Sequence, residues 1–303
     1  MHTYFLGANS RTGFYSLYGS FPPEDDAFLH VIKGGPGTGK STLLRAIAAA
    51  AEARGLEVHR VLCSGDPDSL DGVYLPALGQ AWVDGTAPHT LEPALFGVTG
   101  DYLNLGAFLA HPFDEKEKRD MRRLQQAYQE LYRQAYRELS ACGEAGDGQA
   151  EASGADECAA ISETILSALR PGRLRRRFLS AITGKGVLTL EEELQGYAQT
   201  RTRSAALASA AEQLEGRGGN AVLCPSPLDP AQPEFLLLPE EKLAFRAVYT
   251  PGPEEQRHLD EAVSLLRRAK ALHDELEAAY RPHMDFPAIS KYTQAIIDAI
   301  AWK

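Results

Sequence analysis

The sequence has no long apolar run: stretches such as 47–51 and 235–238 fall far short of the roughly 18 residues a membrane-spanning helix needs, so no such helix is expected. Residues 1–10 lack a basic flank followed by an apolar core, so no secretory leader is expected and the address read is cytoplasmic. Positive charge is scarce as well. Against 41 acidic residues stand 31 Lys and Arg, a formal net charge of −10, and neither half of the chain is basic. Nucleic acid is therefore disfavoured as the main partner, because neutralising phosphates requires a basic surface. The four cysteines, Cys63, Cys142, Cys158 and Cys224, form no CxxC pair and have no nearby His at ligand spacing, which speaks against a zinc site or a disulfide framework. With 44% apolar and 24% charged residues, the 303-residue chain has the composition of a soluble protein and the length of two globular units.

What is present is sharper. Gly34-Gly35-Pro36-Gly37-Thr38-Gly39-Lys40-Ser41 satisfies GxxxxGK[ST] at every fixed position. Residues 27–32 read as a short apolar strand and 42–52 as a strong helix ending at Gly55, so strand, glycine loop and helix follow in the order of a P-loop. Glycines let backbone N–H groups converge on phosphate oxygens at a helix N-terminus whose dipole favours negative charge, where a Cβ would crowd them. On this reading Gly34, Gly35, Pro36, Gly37, Thr38, Gly39, Lys40, Ser41 and Thr42 hold a nucleoside triphosphate. Lys40 reaches the β- and γ-phosphates, Ser41 is a ligand of Mg²⁺, and Thr42 bonds the α-phosphate.

The carboxylate partner of the magnesium is sought at the carboxyl end of a neighbouring parallel strand. Asp84, closing the apolar segment 78–84 before Gly85, takes that place as metal ligand and catalytic residue; a turn aspartate is the bland alternative. Residues 58–63 read as an intervening strand. Asp66, Asp68 and Asp71 then fall in a loop, 65–72, that either lines the ligand crevice or caps its own turns. Thr86 or His89, on the same edge as Asp84, could sense the γ-phosphate. No Glu follows Asp84, so the usual acid pair that polarises attacking water is absent, and efficient hydrolysis does not follow from the motif.

The chain also resembles itself. Phe5-Leu6 recurs as Phe178-Leu179, Val61-Leu62-Cys63 as Val222-Leu223-Cys224, Asp66-Pro67 as Asp229-Pro230 and Leu75-Pro76 as Leu238-Pro239. Setting helix 42–52 against 203–213 puts Lys40 opposite Arg201, and Asp84 falls opposite Ala247. The spacing 190–222 is shorter than 17–61, so the second copy is expected to lack both the first strand and the glycine loop, and to bind no nucleotide. Between the copies, a small, polar, acidic stretch predicts a flexible linker over 143–160, separating a P-loop domain (1–142) from the degenerate repeat (161–303). Residues 115–139 and 254–280 read as long charged amphipathic helices, candidates to pack on each other as a lid or pairing layer, with most of their charges on ordinary solvated faces. Arg170, Arg173, Arg175, Arg176 and Arg177 form one basic cluster, which either pairs, solvated, with the chain's many carboxylates or supplies an arginine finger to a neighbour's phosphates or touches nucleic acid.

The stretches 4–8, 32–42, 63–72 and 83–89, with 272–277 and 284–286 near the end, resemble an uncharacterised family of bacterial ATPase-like or nucleotide-kinase-like proteins whose fuller members carry two tandem P-loop halves. The resemblance covers most of the chain and implies nucleotide binding; the chain departs from it in lacking a second phosphate loop. The expected fold is α/β, a three-layer P-loop NTPase fold with a mostly parallel sheet, a degenerate second α/β repeat and long charged helices. ATP and Mg²⁺ are the expected cofactors, although no base-reading motif such as NKxD separates ATP from GTP. Three functions compete: an ATPase whose segments 66–72 and 84–89 switch with the γ-phosphate, a nucleotide or small-molecule kinase, and a regulatory module that holds ATP without turnover.

Overall fold

A computed structural model describes residues 1–145, 149–150, 155–168, 170–217 and 219–302. In chain order the elements begin with β1 (Thr3–Phe5), a hairpin of β2 (Gly7–Ser10) and β3 (Gly13–Ser16), β4 (Phe28–Lys33), α1 (Lys40–Glu52), β5 (His59–Leu62), β6 (Leu70–Leu75), β7 (Gln80–Asp84), β8 (Gly100–Asn104) and the long helix α2 (Glu115–Ala145). There follow β9 (Gln149–Ala150), α3 (Ala155–Ala168), β10 (Leu174–Arg176), a hairpin of β11 (Ser180–Thr183) and β12 (Gly186–Thr189), β13 (Ala198–Thr202), α4 (Ser204–Arg217), β14 (Ala221–Pro225), β15 (Pro233–Leu238), β16 (Leu243–Ala247), β17 (Tyr249–Thr250), α5 (Pro253–Tyr280) and α6 (Phe286–Ala299). Among the described residues no helix is long and apolar enough to cross a membrane.

Two units form, and neither follows the consecutive division 1–142, 143–160 and 161–303. One, the hairpin unit, gathers Met1, Thr3–Leu17 and Gln134–Ser264; the other, the loop unit, gathers His2, Tyr18–Arg133 and Leu265–Lys303. The boundaries fall inside α2 and α5, whose unbroken helical periodicity gives no composition shift to read. The two helices do pack on each other. In the hairpin unit His258 Nδ1 lies 2.7 Å from Glu138 Oε2 and the Cys142 thiol donates to the Glu255 carbonyl; in the loop unit the Tyr128 and His273 rings are 5.8 Å apart. Of the expected linker, 143–145 end α2, 149–150 pair with β17 and 155–160 open α3, while 146–148 and 151–154 lie outside the described residues.

In the loop unit the sheet runs β5-β6-β7-β4-β8, and it is mixed rather than mostly parallel. β4 pairs in parallel with β7 and β8, but β5–β6 and β6–β7 are antiparallel. The cause is connection length: 63–69 and 76–79 are too short for the crossover of about a dozen residues that a parallel neighbour requires, so the chain turns straight back. Part of the expected loop 65–72 thereby becomes β6, buried along its whole length. Gly72 is needed there, since a Cβ would sit 3.2 Å from the Trp82 carbonyl on β7. One face of the sheet is covered by α1, whose Leu43, Leu44, Ile47, Ala48 and Ala51 recur at helical spacing, and by Ile297 and Ile300 at the end of α6.

The hairpin unit repeats this architecture in the order β10-β14-β15-β16-β13, with α3 and α4 on one face. The repeat is legible pair by pair. Gly7↔Ser16 in the first hairpin becomes Ser180↔Thr189 in the second, an offset of 173. Phe5 and Phe178, related by the same offset, exchange both backbone hydrogen bonds at 2.9 Å. From α1 to β7 the offset is 163: Val61↔Gly72 becomes Cys224↔Phe235, Gly72↔Val83 becomes Phe235↔Arg246, and the irregularity between Val61 and Leu62 recurs between Cys224 and Pro225.

Matching Val61-Leu62-Cys63 to Val222-Leu223-Cys224 is thus two residues out of register. A slip of two keeps every strand side chain on its own face, so alternation could not expose it. The helix decides, because two residues rotate a helix face by more than half a turn. Leu43, Leu44, Ile47, Ala48 and Ala51 superpose on the buried Ala206, Leu207, Ala210, Ala211 and Leu214 only at 163, which sets Lys40 opposite Arg203 instead of Arg201. The first strand is also retained. β13 pairs with β16 as β4 pairs with β7, Thr202↔Ala247 standing for Ile32↔Asp84 at an offset of 170 on the first strand. The drop from 170 to 163 leaves residues 33–39 without a counterpart among the described residues, and only Arg203 separates β13 from α4.

Candidate functional site

The segment without a counterpart is the glycine loop. It leaves the carboxyl end of β4 and enters α1 through Gly37 (φ +67°) and Gly39 (φ +89°), left-handed conformations that only glycine adopts without strain. The Lys40 ammonium folds back over the loop, donating to the Gly34 and Gly35 carbonyls at 2.9 Å each, and the Thr38 hydroxyl donates to Gly35 O at 2.9 Å. The C-terminal part of α5 packs on the loop: a Cβ at Gly37 would stand 2.8 Å from the Glu277 carbonyl, and one at Gly35 3.2 Å from the Tyr280 ring. Thr42, on the first turn of α1, is exposed.

Asp84 ends β7, directly opposite Ile32 on the parallel strand that carries the loop. It is buried, with Oδ2 3.6 Å from the Lys40 ammonium, while Oδ1 accepts the Thr86 backbone N–H at 2.8 Å and the Thr86 hydroxyl at 2.6 Å. Thr86 therefore clamps the carboxylate and leaves its other oxygen facing the loop. The Ser41 hydroxyl accepts the Leu70 N–H at 3.0 Å, tying α1 to the start of β6. Lysine, serine and aspartate thus gather at the carboxyl ends of β4 and β7, the edge of an α/β sheet where ligands bind.

Compared with protein-family models, curated proteins and solved structures, the chain matches none. Its chemistry is read from its own geometry.

The remaining sequence candidates separate. Asp66 stays on the surface loop, 3.4 Å from the Lys270 ammonium, and the Asp68 carbonyl accepts the Arg45 guanidinium. Asp71 is not in a loop: it lies on β6, buried, accepting the Tyr18 hydroxyl at 2.8 Å, with His89 Nε2 at 3.4 Å. Burial raises its carboxyl above the ordinary range; His89 opposes this, and the charge of Asp84 adds to it. The arginine cluster belongs to the hairpin unit. Arg170 lies 3.3 Å from Glu241, Arg176 pairs with Glu215, Arg175 donates to Asn220, and the buried Arg177 stacks over the Tyr4 ring at 3.8 Å. Pairing within the unit, not a free finger, accounts for these four. Tyr18, Glu277 and Tyr280 carry no local motif, and only the fold brings them to the site.

Proposed function

We propose that the loop unit binds a nucleoside triphosphate, ATP, with Mg²⁺ in the manner of a three-layer P-loop NTPase, and that hydrolysis drives a conformational switch. One observation carries this reading: two copies that agree residue by residue in strand register differ by the loss of residues 33–39 and by Ala247 at the place of Asp84. What the fold needs is in both copies; what phosphate and magnesium need is in one. The Ser41 hydroxyl and the Asp84 carboxylate are hard oxygen donors suited to Mg²⁺ and would hold it, and the ion would neutralise charge developing on the transferred phosphoryl group. The α5 residues packed on Gly35 and Gly37, and Thr86 on Asp84, are the groups that would sense the phosphate.

Stoichiometry tests the proposal. Calorimetric titration of the full chain with a non-hydrolysable ATP analogue at saturating Mg²⁺ is expected to give one site per chain, since the start of α4 has no glycine loop to complete an anion site. No binding, or two sites, sinks it. Asp84→Asn is expected to weaken Mg²⁺-dependent nucleotide binding by about 10- to 100-fold, or ~1.4–2.8 kcal/mol, with little effect on metal-free binding, because the lost charge acts through the ion. An equal loss with and without Mg²⁺ would make Asp84 a structural residue.

A further inference from the structure

Beside the proposed nucleotide site, three side chains from separate segments of the loop unit converge: Cys63 after β5, Asp71 on β6 and His89 after β7. One ligand-type atom of each, the Cys63 sulfur, an Asp71 oxygen and a His89 ring nitrogen, lies within 4.8 Å of the others. Asp71 and His89 are buried and Cys63 is half-buried. The geometry points to a second metal site in this unit, in which Cys63, Asp71 and His89 hold a thiophilic divalent cation of the zinc class.

Three considerations carry the assignment. Tetrahedral zinc, with Zn–S of about 2.3 Å and Zn–N or Zn–O of about 2.0 Å, sets its ligands roughly 3.3–3.5 Å apart, so the trio need close by little more than an ångström. Sulfur, imidazole and carboxylate together form a borderline-soft set, which suits zinc and not the all-oxygen preference of Mg²⁺ or Ca²⁺. Support beyond the ligands is in place too. Tyr18 donates to the Asp71 carboxylate at 2.8 Å. On binding, the Cys63 S–H bond breaks as the S–metal bond forms and the proton leaves to solvent; Asp71 binds as carboxylate, His89 as neutral imidazole, and water fills the fourth position.

The second copy is an internal control. Its backbone follows the first around this point: Cys63 N→Ser69 O recurs as Ser226 N→Gln232 O, and Ser69 N→Asp66 O as Gln232 N→Asp229 O, at the offset of 163. At that offset Cys63 and Asp71 become Ser226 and Glu234, so the backbone closes there without the thiol. Only the acid survives, half-buried, its carboxyl pushed up to about 7 chiefly by desolvation.

Metal-stripped full-length protein titrated with Co²⁺ tests the site. One Co²⁺ per chain is expected, with a thiolate-to-cobalt charge-transfer band and the intense visible bands of four-coordination, both erased by stoichiometric Zn²⁺. Cys63→Ser should remove the charge-transfer band and weaken Zn²⁺ binding more than about 100-fold, His89→Ala should weaken it comparably, and Tyr18→Phe should cost about 10-fold. Cys142→Ser and Cys224→Ser should change nothing. Alkylation of Cys63 in the unmutated protein, followed by mass spectrometry, gives a check free of folding defects: Zn²⁺ should protect it. No charge-transfer band at saturating Co²⁺, a band that survives Cys63→Ser, or no protection overturns the assignment. A chain that passes these tests yet binds no ATP keeps this site and loses the nucleotide reading.

Discussion

Lys40→Ala is expected to weaken binding of Mg²⁺-ATP by about 100-fold or more and to abolish turnover while the protein stays folded. The Lys40 ammonium has no apolar role: it rests on two loop carbonyls and faces Asp84 at 3.6 Å. Truncating one partner of a close charge pair costs about 2–5 kcal/mol, and each 1.4 kcal/mol is a factor of ten. The fold should tolerate the change, because Asp84 keeps both bonds from Thr86 and the hydrophobic face of α1 is untouched. Calorimetry and phosphate release measure the functional loss, and far-ultraviolet circular dichroism the fold. Affinity within threefold of the unmutated protein would remove the phosphate-binding role of the loop.

Trp82→Ala should be the most damaging change to stability, at about 3–5 kcal/mol. The side chain is fully buried in the middle of β7, packed among the α1-facing core residues and stacked on His30 with ring centroids 4.9 Å apart. Its indole N–H has no hydrogen-bond partner among the described residues, so nothing polar is lost and the cost is cavity and transfer alone. Trp82→Phe, which retains most of the volume and discards that unpartnered donor, should therefore cost under about 1.5 kcal/mol. Urea unfolding followed by circular dichroism separates the two variants; equal midpoints would show that the indole is not a core element.

Much of the site is legible in the sequence because its signals are local. A glycine loop between an apolar strand and a helix is contiguous, and the structure sets it between β4 and α1, with Asp84 on the neighbouring parallel strand. What escaped was set at a distance. Mixed strand direction depends on how the ends of β5, β6 and β7 are joined, which composition does not display. Periodicity of two leaves a two-residue ambiguity in strands, and only the buried faces of α1 and α4 set Lys40 opposite Arg203 rather than Arg201. Cys63 and His89 lie too far apart in the chain for ligand spacing to link them, and Tyr280 meets Gly35 only once α5 has folded back.

The direct join of β13 to α4 has a further meaning for the first copy. A strand and helix that connect through Arg203 alone show that this joint closes unaided, with the same neighbours on either side. The glycine loop is then an insertion the scaffold tolerates without depending on it, and lengthening such a connection by a few residues changes closure entropy by only about a kilocalorie. Its sequence then answers to α5, which packs on Gly35 and Gly37, and to the anion proposed for it, more than to the closing of this joint. The same joint in the second copy is a ready acceptor: residues 33–39 could be grafted between Thr202 and Arg203, with a carboxylate at Ala247, to ask whether a phosphate grip is portable between twins of one fold.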